Sequence, residues 1–129
     1  MSILEKYNEE NVEFIETMPV KEGVICHVYS FPDDPTKDLG LVQVQKGFKT
    51  PKQKVIGGTK TLEIFKSGKG ILKIENPRGT ITEYYYPNNP GRNIEVFPGE
   101  TMQWEALEDL EFYELCWPPY QEGRFENLD

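Results

Sequence analysis

FPGETMQWEALED, residues 97–109, is the stretch from which the fold is read. Pro98-Gly99 is turn chemistry, and Thr101 to Ala106 then alternates, so that Met102, Trp104 and Ala106 share one side of a strand. A turn of this kind often delivers a histidine to a metal ion. Here it delivers a thioether, and the rest of the chain decides what that implies.

Outward from this stretch the same pattern repeats. Short β-type runs occupy 24–31, 39–45, 61–66, 71–75, 80–86, 93–97, 101–106 and 110–117. Between them lie PDDPTKD, GFKTPKQ, SGKG, NPRG, PNNPGR, PGE and ED, all rich in turn formers. No window of ten residues after position 20 carries a helical stripe, although Ile3, Leu4 and Tyr7 suit a turn of helix. Regular short strands predict an all-β sandwich or barrel. The 129 residues contain no repeat, linker or low-complexity segment, so a single domain is expected.

The hairpin EIFKSGKGILKIE and the run GRNIEVFPGETMQWEALEDLEFYELCWPPY together resemble the cupin superfamily. That family's second motif runs glycine, five residues, Pro-X-Gly, two residues, histidine, three residues, asparagine. Gly91 and Gly99 stand at this spacing, Phe97 replaces the proline, Met102 stands at the histidine and Ala106 at the asparagine. In the first motif, counted from Gly47, Gln53 and Val55 fall on the two histidines, and the glutamate position falls on Thr61 or Glu63 according to whether Gly68 or Gly70 is matched.

The resemblance covers roughly residues 40–118 and implies a double-stranded β-helix, the jelly-roll cupin barrel. One domain would span 1–129, with a barrel core of about 24–118, an N-terminal extension and a C-terminal arm. It also implies pairing through the sheets, so a homodimer is expected; an exposed sheet edge invites the same. In the arm, Pro118-Pro119 would end the last strand, with Tyr120 and Phe125 as anchors.

Divalent iron, manganese, nickel or zinc needs three or four converging nitrogen or oxygen donors, and a carboxylate with a thioether and an amide falls short. No metal and no other cofactor are therefore expected. Met102 and Trp104 either fill the core or line a pocket for an organic ligand. Gln43 and Gln45 share one face, as do Tyr84 and Tyr86, and Glu63 interrupts an apolar strand. Together with Gln53, Met102 and Trp104 these residues form a candidate lining of amides, hydroxyls and aromatic faces, which suits a carbohydrate derivative or another small polar ligand.

Catalysis without metal would need an acid and a base, for which Glu63 with His27, or Glu63 with a tyrosine, are the candidates, as in a sugar isomerase or epimerase with an unusual site around Glu63, Gln53 and Met102. The remaining alternative is a structural or regulatory dimer with a filled barrel. SGKG joins two strands and so is a hairpin rather than a phosphate loop, and Ser67 and Thr59 have no triad around them.

Cys26 and Cys116 read as buried free thiols. The net charge of −8 comes from residues 100–129, where nine carboxylates face only Arg124; the lysines from Lys46 to Lys73 are interrupted by Glu63 alone. Such a division suits two solvated surfaces, an anionic ligand or a subunit contact, and the overall sign argues against nucleic acid. No apolar tract is long enough for a membrane helix. MSILEKYNEE lacks the layout of a secretory signal, so a cytoplasmic location is expected.

Overall fold

The computed structural model describes residues 12–58, 60–89, 93–117 and 125–128. Their regular structure consists of eleven strands: β1 (Glu13–Lys21), β2 (Val24–Ser30), β3 (Asp38–Val44), β4 (Gln53–Val55), β5 (Lys60–Ser67), β6 (Gly70–Glu75), β7 (Ile81–Tyr86), β8 (Asn93–Val96), β9 (Thr101–Ala106), β10 (Leu110–Trp117) and β11 (Phe125–Asn127). The turn expected around Ile3, Leu4 and Tyr7 lies outside the described residues, as do Gly91, Pro118, Pro119, Tyr120 and Arg124.

The eight runs read from the sequence all appear as strands, within a residue or two at their ends. Three strands were not anticipated. β1 is exposed along nearly its whole length and carries Pro19, so it shows no alternation between apolar and polar residues. β4 and β11 are three residues each, too short to show a period, and they pair with one another.

The strands form two antiparallel sheets, one ordered β1-β2-β3-β10-β5-β8 and the other β11-β4-β9-β6-β7. The sheets lie face to face as the layers of a jelly roll and do not close into one hydrogen-bonded barrel. Between them Val24, Val42, Val44, Phe65, Val96, Leu110 and Phe112 of the larger sheet meet Val55, Leu72, Ile74, Tyr86, Met102, Trp104 and Ala106 of the smaller. β9 follows the alternation read from its sequence, with Met102, Trp104 and Ala106 buried and the residues between them half-buried.

A second apolar cluster, including Phe31, Leu39, Ile64, Tyr113 and Leu115, occupies the outward face of the larger sheet. β5 and β10 thus bury apolar side chains on both faces, Phe65 and Phe112 inward and Ile64, Tyr113 and Leu115 outward. The SGKG turn expected to close a hairpin instead carries the chain from one sheet to the other, since β5 pairs with β10 and β8 and β6 with β7 and β9; it turns at Gly68, whose φ is +95° and where a Cβ would collide with the Asp109 carbonyl. That contact seats the β5–β6 turn against the one before β10.

Candidate functional site

The inward faces of β1, β2, β3 and β10 do not meet the opposite sheet everywhere. A cavity of about 400 Å³ remains, bounded by Cys26, Asp38, Gly40, Phe112 and Glu114 on the larger sheet and by Gln53 on the smaller. Gly40 is central to it. It pairs with Val28 on one side and Glu114 on the other, and a Cβ at this position would lie 2.9 Å from the sulfur of Cys26. The missing side chain therefore leaves room for the Cys26 sulfur beside Glu114.

The other end of the intersheet space is filled. Phe65 stacks on Tyr86 with centroids 4.8 Å apart, Tyr86 lies tilted against Trp104 at 5.6 Å, and Trp104 stacks on Phe112 at 4.3 Å. Trp104 and Met102 are thus core residues, and Tyr84 packs half-buried against the same cluster.

Behind the cavity, Glu63 on β5 is fully buried directly opposite Glu114 on β10. Trp104 Nε1 donates to Glu63 Oε1 at 2.8 Å. Burial, the adjacent Glu114 charge and a hydrogen bond with the Glu114 carboxyl push the Glu63 pKa well up, against the pull of the Trp104 bond. Burial, with Glu114, Asp38 and Glu63 nearby, also pushes the Cys26 thiol up to about 12, which leaves it protonated and unreactive at neutral pH. Cys26 and Cys116 lie on strands either side of β3 and four residues out of register, roughly 16 Å apart by strand geometry and beyond disulfide reach.

The sequence-derived residues divide between the two faces of the larger sheet. Glu63 points inward, whereas His27 and Gln43 point outward, so the candidate acid–base couple of Glu63 and His27 is split by the sheet. The pleat's period of two accounts for this. His27 belongs instead to a polar chain across five strands. Thr17 Oγ1 is 2.8 Å from His27 Nδ1, and His27 Nε2 donates to Gln43 Oε1 at 2.9 Å. Gln43 Nε2 donates to Glu111 Oε2 at 2.6 Å, while Lys66 and Ser67 both donate to Glu111 Oε1. A β-bulge lets one residue of β10 receive two from β5: Glu111 pairs with Ser67, the next pair is Phe112 with Phe65, and Lys66 is the extra residue. Gln45 is exposed beyond the end of β3. Of the expected lining, Gln53 alone borders the cavity, with Glu63 behind it; Glu114 went unrecognised in an acidic tail that reads as solvated surface.

At the positions where the cupin metal ligands would stand, Gln53 pairs directly with Met102, Val55 is buried, and both Thr61 and Glu63 face inward. An amide, a methyl-bearing side chain and a thioether do not form the donor set that a divalent ion needs. The one carboxyl among them is committed to Trp104 and Glu114. Among the described residues no group of three or more His, Cys, Asp or Glu side chains is placed to hold a metal ion. No described helix is long and apolar enough to cross a membrane.

No family model matches the sequence, and no curated protein sequence matches it. Solved structures do match. Bacillus subtilis oxalate decarboxylase, a protein with Mn(II) centres, aligns at a TM-score of 0.69 and 21% identity over 90% of this chain and 30% of its own. The formate complex of Lactobacillus farciminis oxalate decarboxylase aligns at 0.69 and 14%, over 93% and 34%. CapF bound to the inhibitor 3-isopropenyl-tropolone aligns at 0.65 and 18%, over 90% and 34%. The chain spans about a third of the length of each. What these likenesses show is the cupin jelly-roll fold.

Proposed function

We propose that the chain binds a small polar ligand, such as a carbohydrate derivative, in the intersheet cavity and without a metal ion. The observation that carries this reading is the cavity's mixed lining. Glu114, Asp38 and the linked amides of Gln53 and Asn127, whose Nε2 and Oδ1 are 3.1 Å apart, offer partners for hydroxyl groups. Phe112, Val42 and Val28 offer an apolar wall for the carbon face of a ring. The filled end of the core gives the ligand a rigid floor. A reading as a structural dimer with a wholly filled interior lacks support at the cavity end.

The test is a thermal-shift screen of neutral sugars, sugar acids and polyols against the native protein and Val28→Phe, which narrows the cavity. A ligand that stabilises the native chain and not the variant supports the reading, since only a binder of the folded state raises the melting temperature. If nothing stabilises the native chain, or the variant responds equally, the reading fails.

A homodimer is part of the same proposal. Among the described residues β1 is an edge strand, on which Phe14, Ile15 and Val20 are exposed, an edge and apolar side chains that a second copy would cover. Light scattering at micromolar concentration gives the answer directly: a mass of one chain overturns it.

A further inference from the structure

We propose that Glu114 and Glu63 form a proton-transfer pair at the edge of the cavity, with Glu114 acting on the carbon beside the carbonyl of a bound sugar or related hydroxycarbonyl compound. The inference rests on the reading of the cavity as a small-ligand site and adds chemistry to it. The two carboxyls sit opposite one another on adjacent strands of one sheet. Only Glu114 borders the cavity. Glu63 is enclosed, with one oxygen held by Trp104; among the described residues no hydrogen-bond partner reaches the other, and Glu114 stands directly opposite on the neighbouring strand.

This arrangement separates two roles. The apolar surroundings and the neighbouring charge oppose ionisation of Glu63, so of the two carboxyls the one at the cavity, Glu114, is the better placed to carry the charge that faces the ligand. Glu114 can then take a proton from a carbon acid. The C–H bond breaks, an O–H bond forms on Glu114, and the electron pair moves onto the carbonyl oxygen as an enolate; return of a proton to carbon reverses each change. No oxidant or co-reactant enters. Among the described residues, the groups facing the pair include Cys26 of β2, Asp38 of β3, Cys116 of β10, Thr61 of β5 and Trp104 of β9, with Glu16 of β1 on the far wall. Glu63 acts through Glu114, so it is a positioning residue, and its signature is the pH at which the pair works.

The experiment is deuterium exchange in D2O, followed by proton NMR, with dihydroxyacetone, D-fructose and D-glucose as probes. Saturation-transfer spectra on the same samples report binding separately. The expected result is loss of carbon-bound hydrogen signal beside the carbonyl of at least one probe, faster than in buffer and cut on the order of 100-fold by Glu114→Gln. Glu63→Gln and Trp104→Phe are expected to move the pH profile of exchange, which a purely structural role would not do. Circular dichroism checks that each variant is folded, and Glu114→Asp, keeping the carboxylate, is expected to retain part of the exchange. A probe that binds without exchanging overturns the proton-transfer pair and leaves the binding reading intact. Exchange equal in Glu114→Gln and native protein overturns it as well. If none of the three probes binds, both readings fall.

Discussion

Trp104 Nε1 and Glu63 Oε1, 2.8 Å apart, join the two sheets through the protein interior. Trp104 comes from β9 of the smaller sheet and Glu63 from β5 of the larger, so the bond crosses a core that is otherwise held by apolar packing. It also places a carboxyl at 0% exposure, where ionisation is strongly disfavoured.

The consequence for pH follows from linkage. The folded-state pKa of Glu63 is raised, so its contribution to stability is fully present below the unfolded-state pKa and is lost as pH rises through the folded one. Between those values the unfolded chain releases a proton that the folded chain retains. Glu63→Gln removes this dependence. The difference in melting temperature between native and variant proteins is expected to move in the variant's favour from pH 5 towards neutrality, and a difference that stays flat over that range would contradict it.

Removing the donor has a separate cost. Trp104→Phe leaves Glu63 Oε1 buried without its partner and is expected to cost about 1–3 kcal/mol in denaturant unfolding, beyond any change in packing. The double variant Trp104→Phe with Glu63→Leu is expected to cost less than the sum of the two single changes.

Gly40 owes its identity to space and not to backbone strain. A methyl group there would meet the Cys26 sulfur at 2.9 Å, so Gly40→Ala is expected to destabilise by about 1–3 kcal/mol. Adding Cys26→Ala removes the obstructing atom, and the pair of substitutions is expected to cost less than the two added separately. Additive costs in a double-mutant cycle would show that the collision is not the cause.

On the outward face, the hydrogen bonds from Gln43, Lys66 and Ser67 hold the Glu111 carboxyl below its usual range. Its stabilisation is present above the unfolded-state pKa and disappears as pH falls through the folded one, the opposite sense to Glu63. Because Lys66 and Glu111 are both partly exposed to solvent, which screens the pair, Glu111→Gln is expected to cost no more than about 1 kcal/mol at neutral pH. The gap to the native protein should narrow as the pH falls below the ordinary carboxylate range, as followed by urea unfolding.

Met102 and Gln53, paired on adjacent strands, allow a direct test of the donor argument. Met102→His alone is expected to retain no zinc after dialysis, because Gln53 and Val55 supply no strong donor beside it. Met102→His with Gln53→His adds a second imidazole and is expected to bind zinc measurably in calorimetry. Tight binding by the single variant would mean that another donor converges there.

The fold was legible because β9 and β10 report their surroundings residue by residue. Met102, Trp104 and Ala106 alternate with polar neighbours, and β10 places Phe112 and Tyr113 side by side, matching burial on both of its faces. The site was less legible, since one face of a strand looks like the other until the strand is placed in a sheet. Gln43 and Glu63 both interrupt apolar strands, yet one belongs to an outward polar chain and the other to the interior. Glu114 was invisible for a different reason: its meaning depends on a partner about fifty positions earlier, brought opposite it only by the β5–β10 pairing.

The chain's two tryptophans also differ in a useful way. Trp117 lies on the outward face beneath Lys60, whose ammonium is 5.2 Å from the ring centroid, whereas Trp104 is clamped between aromatic rings and tied to a carboxyl that touches the cavity's own glutamate. A change of charge at Glu114, which stands opposite the carboxyl that Trp104 holds, is therefore expected to alter the emission of this one indole. The molecule contains its own optical probe: fluorescence from Trp104, isolated by Trp117→Phe, reads the interior while the surface stays dark.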